Sequence, residues 1–263
     1  MNAVADIAAT MPLGCAGLRV EVAGRELVRG LTLSMRSGTI TSILGCNGAG
    51  KTLTLHTLAG LRPPSDGQVT VAAQPLMSWP RRLLARQIGL LTQTSDDPFP
   101  STVLESVLIG RHPHIGFWSW ESDADRRIAL DALAAVALAD AAQRDVTSLS
   151  GGERRRAAVA TLLAQDPEVF LLDEPINHLD PHHQIQVLKL LREKAAAGRT
   201  VVMTLHDAGL AARFSDYAVL LFGNGEWQYG PTSEVLSAAT MTRLYGVPVR
   251  EIQWADGRTF VAV

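Results

Sequence analysis

Residues 45–52 read GCNGAGKT, the spacing G-x-x-x-x-G-K-[ST], and they lie between a short apolar run and a stretch with helical spacing. A strand that enters a glycine-rich turn and leaves it as a helix turns successive backbone N–H groups toward one point. The helix start adds the positive end of its dipole, so an anion is the natural occupant. Gly45, Gly48 and Gly50 supply the backbone freedom, and Cys46, Asn47 and Ala49 complete the loop. Lys51 would reach the β and γ oxygens of a bound triphosphate, Thr52 would offer its hydroxyl to Mg²⁺, and Leu53 follows in the first helical turn. Only Lys51, Lys189 and Lys194 are lysines among 24 basic residues, so the placement of one here carries weight.

The surrounding chain alternates strand-like and helix-like stretches. Strands are expected at 18–22, 31–35, 39–44 and 68–71, broken by Gly24, Gly38 and the turn Pro63-Pro64-Ser65-Asp66-Gly67, with a helix at 51–61. Apolar runs at 169–172, 200–205 and 217–222, separated by helix-length segments, have the character of strands buried in a parallel sheet. Between 93 and 149 the texture changes to Ala- and Leu-rich, with a helix expected at 128–142. We read that stretch as a helical insert between core segments 17–92 and 150–246. Asp256-Gly257 sets a hairpin in 247–263, and residues 1–16 read as a flexible tail before a single domain.

Phe170-Leu171-Leu172-Asp173-Glu174 is an apolar strand ending in two carboxylates, which puts both at the carboxyl edge of the sheet beside the phosphate loop. Asp173 suits the Mg²⁺ shell, and Glu174 is free to polarise an attacking water. In Leu149-Ser150-Gly151-Gly152-Glu153, Ser150 and Glu153 have capping-box spacing, which by itself explains a helix start. The paired glycines also expose amides, so the same turn is a second anion site on which a nucleotide could be clamped.

GCNGAGKT, Gln93, LSGGE (149–153), FLLDE (170–174), NHLD (177–180) and His206 together resemble the nucleotide-binding subunit of ABC transporters, in order and spacing from about Leu18 to Gly246. That resemblance implies an α/β fold: a P-loop NTPase (RecA-like) core with an antiparallel β subdomain and an inserted helical subdomain. It implies ATP and Mg²⁺ as cofactors and hydrolysis as the reaction. The active form would be a head-to-tail pair with a second copy of the chain, in which each ATP is held by one phosphate loop and by Ser150, Gly151, Gly152 and Glu153 of the other. Gln93 would touch Mg²⁺ and water, His206 would contact the γ phosphate, and Asp180 would lie across the dimer interface. The insert would dock an integral membrane permease, with a substrate-capture protein completing the system at the cytoplasmic face of the inner membrane. TVLESVLIGRHPH (102–114), NHLD and LYGVPV (244–249) are similar to importers of iron-siderophore, haem and vitamin B12; a permease-free ATPase serving metal-cluster assembly is the alternative. The adenine-stacking aromatic usual in this family is missing from Val20-Glu21-Val22-Ala23, Cys46 stands in place of a common proline, and Leu53 replaces a second hydroxyl.

With 24 basic and 26 acidic residues the chain has no broad basic field, which argues against a nucleic-acid partner. Two cysteines are too few for a disulfide framework and fit a reducing compartment, and no apolar run is long enough to span a bilayer. His178, His182 and His183 diverge around a helix start at Asp180-Pro181 and are read as surface residues rather than a metal site, as are His112 and His114. Phe117, Trp118 and Trp120 are expected to pack in the core of the insert, with a docking patch as the alternative. Arg154, Arg155 and Arg156 are expected to face solvent or the sister subunit.

Overall fold

The computed structural model describes residues 11–93, 100–116, 118–255 and 257–263. In chain order the strands are β1 (Leu13–Val22), β2 (Arg25–Met35), β3 (Ile40–Leu44), β4 (Asp66–Val71), β5 (Gln74–Pro75), β6 (Ile88–Leu91), β7 (Val169–Leu172), β8 (Thr200–Thr204), β9 (Tyr217–Leu221), β10 (Trp227–Pro231), β11 (Val249–Trp254) and β12 (Gly257–Ala262). The helices are α1 (Lys51–Leu58), α2 (Arg81–Gln87), α3 (Val103–Leu108), α4 (Asp123–Ala135), α5 (Gly151–Gln165), α6 (Pro181–Ala196), α7 (Ala208–Phe214), α8 (Thr232–Val235) and α9 (Ala238–Tyr245).

A six-stranded sheet in the order β10-β9-β3-β8-β7-β6 forms the centre; all its pairings are parallel except β10 on β9. Its inner strands β3, β7 and β8 are buried on both faces, and alternate side chains feed two separate cores. Phe170, Leu172, Val201 and Met203 pack with the helices of the insert and with α6, whereas Val169, Leu171, Val202 and Val219 pack with α1 and a four-stranded antiparallel sheet, β2-β1-β4-β5. The observed mixed α/β architecture is the expected one.

Strand β1 begins at Leu13, which corrects the boundary of the tail expected over 1–16; residues 1–10 lie outside the described residues. Leu13, Cys15, Leu18 and Val20 all face the core, and the pairing shifts by one residue between Cys15↔Leu33 and Leu18↔Leu31. Ala16 and Gly17, the latter at φ 62°, absorb that bulge. The extra residue hides the strand from a period-2 reading while keeping its apolar side chains on one face.

Within 93–149 the helix expected at 128–142 is shifted. Ser122 and Asp125 form a capping box that starts α4 at Asp123, and Val136 with Ala137 at φ 55° ends it. A separate 3₁₀ turn follows at Ala139–Ala141. At the far end β11 and β12 pair as a hairpin, with Trp254 opposite Gly257; Asp256 lies outside the described residues.

Candidate functional site

Helix α1 starts at Gly50, whose φ of 99° suits glycine and whose missing side chain leaves the first amides of the helix without a side-chain cap. A Cβ on Gly50 would meet Leu27 Cβ at 3.0 Å, so the antiparallel sheet packs directly against the loop. A Cβ on Gly45 would lie 2.6 Å from the Leu221 carbonyl of β9. Lys51 is buried, and its Nζ donates to the carbonyls of Gly45 (2.8 Å) and Cys46 (3.2 Å). Burial lowers its pKa, and the carboxylates of Glu174 and Asp173 oppose that shift.

The loop forms one wall of a cleft of about 620 Å³ whose other walls include Gln93, Glu174, Asn177 and His206, with Thr52, Leu53 and Leu27 also facing it. Glu174 sits at the crossing point of this wall. Its Oε1 is 2.6 Å from His206 Nε2, and its Oε2 accepts from Gln93 Nε2 (3.0 Å) and from Asn177 Nδ2. The Glu174 backbone is at φ 51°, a strained conformation held by a hydrogen bond from its amide to Thr204 Oγ1 (2.8 Å). Thr204 in turn donates to Asp173 Oδ1 (2.7 Å). Asp173 is fully buried, and among the described residues its Oδ2 has no partner. A buried carboxylate oxygen without a donor is costly unless a cation or its water faces it, so the donor set at Asp173 and Thr52 fits a hard divalent ion with oxygen ligands.

The other half of the expected set lies elsewhere. Ser150 caps α5 in a completed capping box: its Oγ accepts from the Glu153 amide (3.2 Å), and Glu153 Oε2 accepts from the Ser150 amide (2.8 Å). Bonds to the carboxylate from the Ser150 amide and hydroxyl, with Arg144 at 2.9 Å, hold the Glu153 carboxyl down at about 2. A Cβ on Gly151 would meet nothing, whereas one on Gly152 would lie 3.1 Å from the His178 carbonyl, so this turn abuts the 177–180 segment. Asp180 caps α6, its Oδ1 accepting from the His183 amide (3.0 Å). None of Ser150, Gly151, Gly152, Glu153 or Asp180 lines the cleft, so one chain brings together the phosphate loop, Gln93, Glu174 and His206 but leaves the second anion turn apart.

Two expectations are overturned by burial. Arg155 is 6% exposed rather than facing solvent or a sister subunit; its Nη1 donates to the carbonyls of Thr92 (2.6 Å) and Gln93 (3.5 Å), and its Nη2 to those of Asp173 and Glu174 (2.8 Å). Arg156 is half-buried, its Nη1 donating to the carbonyls of Val136 (2.8 Å) and Ala137 (2.9 Å), while Arg154 alone of the three is exposed. Spacing carried the signal, because Arg155, Val159 and Leu162 share one helical stripe. Trp118 and Trp120 are 92% and 89% exposed and do not fill a core; Phe117 lies outside the described residues. Asn177, quoted only as the first residue of NHLD, and Thr204 are site residues to which sequence reasoning gave no role.

The ABC transporter domain family matches residues 28–177. The chain is 40% identical over 233 residues to the hemin import ATP-binding protein HmuV of Streptomyces coelicolor, covering 89% of this chain and 82% of that one. It is 40% identical over 207 residues to the petrobactin import ATP-binding protein FpuD of Bacillus anthracis, covering 78% and 76%. A solved inward-facing metal-chelate type ABC transporter superposes with a TM-score of 0.83 at 29% identity, over 96% of this chain and 98% of that one. The family match takes in the phosphate loop, Gln93 and Glu174, both relatives align over most of their length, and the chain belongs to the ABC transporter family as an ATP-binding, ATP-hydrolysing subunit.

Proposed function

We propose that the chain powers import of a metal chelate of the haem, siderophore or cobalamin type through a membrane permease. The observation that carries the catalytic part is the convergence of Gln93, Asn177 and His206 on the Glu174 carboxylate at the edge of the phosphate-loop cleft. The relatives named for hemin and petrobactin import support the cargo class.

ATP would seat its β and γ phosphates on the amides of the loop at 45–52 and on Lys51, whose ammonium leaves two loop carbonyls to do so. Leu27 lines the cleft and would offer adenine an apolar contact in place of an aromatic ring. Thr52, Gln93 and Asp173 would hold Mg²⁺, which supplies charge neutralisation on the phosphate oxygens. Glu174 accepts the proton of the attacking water, and Gln93 orients that water from the other side. His206 releases Glu174 to contact the γ phosphate and returns to it when the phosphate leaves. Ser150, Gly151, Gly152 and Glu153 would complete the site of a second copy paired head to tail, with Asp180 at the junction.

Among the described residues no helix is long and apolar enough to cross a membrane, and the import ATP-binding proteins it resembles support an integral partner. We assign permease docking to the insert, where a groove of about 220 Å³ between β6, α3 and α5 is bordered by the half-exposed Ile109. The subunit would then work peripherally at the cytoplasmic face of the inner membrane, with a capture protein delivering the chelate. Co-purification with a polytopic membrane protein, together with chelate uptake that depends on ATP in reconstituted vesicles, tests the reading. An ATPase that neither binds a permease nor supports uptake overturns it.

A further inference from the structure

We propose that Arg155 is a positioning residue that ties the Ser150, Gly151, Gly152 turn to Gln93 and Glu174 of the same chain, so that a nucleotide seated on that turn sets the geometry of the chain's own hydrolytic site. The proposal rests on the head-to-tail pairing proposed above. Its own basis is the fork made by the Arg155 guanidinium. Strands β6 and β7 are neighbours, with Leu91 opposite Leu172, and each runs straight into a functional pair: Thr92 and Gln93 after β6, Asp173 and Glu174 after β7. Arg155 donates to all four of those carbonyls, Nη1 to one pair and Nη2 to the other. A planar guanidinium spans two strand ends in this way, whereas an ammonium or an amide reaches only one.

The link to the turn is a short rigid helix. Arg155 stands five residues beyond the N-cap Ser150, about 7.5 Å along the axis at 1.5 Å per residue. The intervening turn is fixed by the reciprocal Ser150 and Glu153 bonds and by the Arg144–Glu153 ion pair at 2.9 Å. A shift of the Ser150 end therefore moves the guanidinium with it, and the four carbonyls follow because they have this donor in common. A displacement of the Glu174 backbone is amplified at its carboxylate, which must meet water and γ phosphate within hydrogen-bond range.

Steady-state ATP hydrolysis by the full chain, and ATP affinity measured by titration in EDTA, test the inference. Arg155→Gln should lower kcat about tenfold or more and leave the ATP Kd within about twofold, because the phosphate loop is untouched. Arg155→Lys, which keeps the charge but loses the fork, should recover only part of the rate, and it carries the test alone where the Gln variant does not fold. In a double-mutant cycle with Ser150→Ala, the losses in kcat should be less than multiplicative. An unchanged kcat, equal falls in kcat and affinity, full recovery with Lys, or multiplicative losses would each overturn the proposal. Sedimentation of Glu174→Gln with ATP, run alongside, separates the two readings: if that variant stays monomeric, the head-to-tail pairing fails and not the anchoring of Gln93 and Glu174 by Arg155.

Discussion

His206 Nε2 lies 2.6 Å from Glu174 Oε1, so the residue expected at the γ phosphate and the residue expected to activate water hold each other. The pair forms because β7 and β8 are adjacent parallel strands whose carboxyl ends open on the same cleft. Glu174→Gln removes the proton acceptor while preserving shape, so turnover should fall about 100-fold or more with ATP affinity retained. Steady-state phosphate release and a binding titration check both halves; near-normal release would remove Glu174 from this role.

Lys51 places its buried ammonium on the rim of the phosphate loop, where it meets two carbonyls and, among the described residues, no carboxylate within bonding distance. Lys51→Ala should weaken ATP binding by about 1.5–3 kcal/mol, the range of a charge-assisted hydrogen bond, which is roughly 10- to 100-fold in Kd. Calorimetric titration reads this directly, and an affinity unchanged within error contradicts it.

Thr204 ties the Glu174 amide to the Asp173 carboxylate from a fully buried position. Thr204→Val leaves both groups without that partner and should cost about 1–3 kcal/mol in unfolding free energy, with a parallel loss of kcat. Thr204→Ser keeps the hydroxyl and should retain most of both. Urea unfolding of the three proteins distinguishes a lost bond from a lost methyl group.

Asp125 is held down at about 2 by bonds from the Ser122 hydroxyl, the Arg111 guanidinium and the Ser122 amide. A carboxyl whose pKa is lower folded than unfolded stabilises the fold above its ordinary value near 4, and the contribution disappears as pH falls toward 2. Asp125→Asn should therefore melt below the wild type at pH 6, with the gap closing progressively from pH 4 to pH 2. A gap independent of pH counts against this account.

Cys15 is buried behind the β1 bulge, and burial pushes its thiol up to about 11 against the opposing bond from the Leu33 backbone; Cys46 is exposed in the phosphate loop. At pH 8 iodoacetamide should modify Cys46 and leave Cys15 intact, and ATP should slow the reaction by covering the loop. Peptide mapping of the alkylated protein, with and without ATP, decides it.

The site was legible where chemistry needs a fixed local spacing. GCNGAGKT, the strand-terminal Asp173 and Glu174, and the Ser150–Glu153 capping pair each have short-range reasons to look as they do, and the structure has each of these local features. What sequence reasoning lost depends on contacts distant in the chain. Arg155 looked like one of three solvated arginines because its four carbonyl partners lie 18 to 63 residues away. The start of β1 was hidden by a bulge at Ala16 and Gly17, and α4 was misplaced because its end depends on a left-handed alanine that no propensity favours. Of the two readings of the tryptophans, core packing fails because Trp118 and Trp120 stand almost wholly in solvent, and the docking patch is the one compatible with that exposure.

Helix α1 opens on a glycine and so has no hydroxyl or carboxylate to quench its first amides. In the proposed site the polyphosphate would itself serve as the missing terminal group, and saturation with nucleotide should harden the fold against heat by an amount that grows with the logarithm of its concentration.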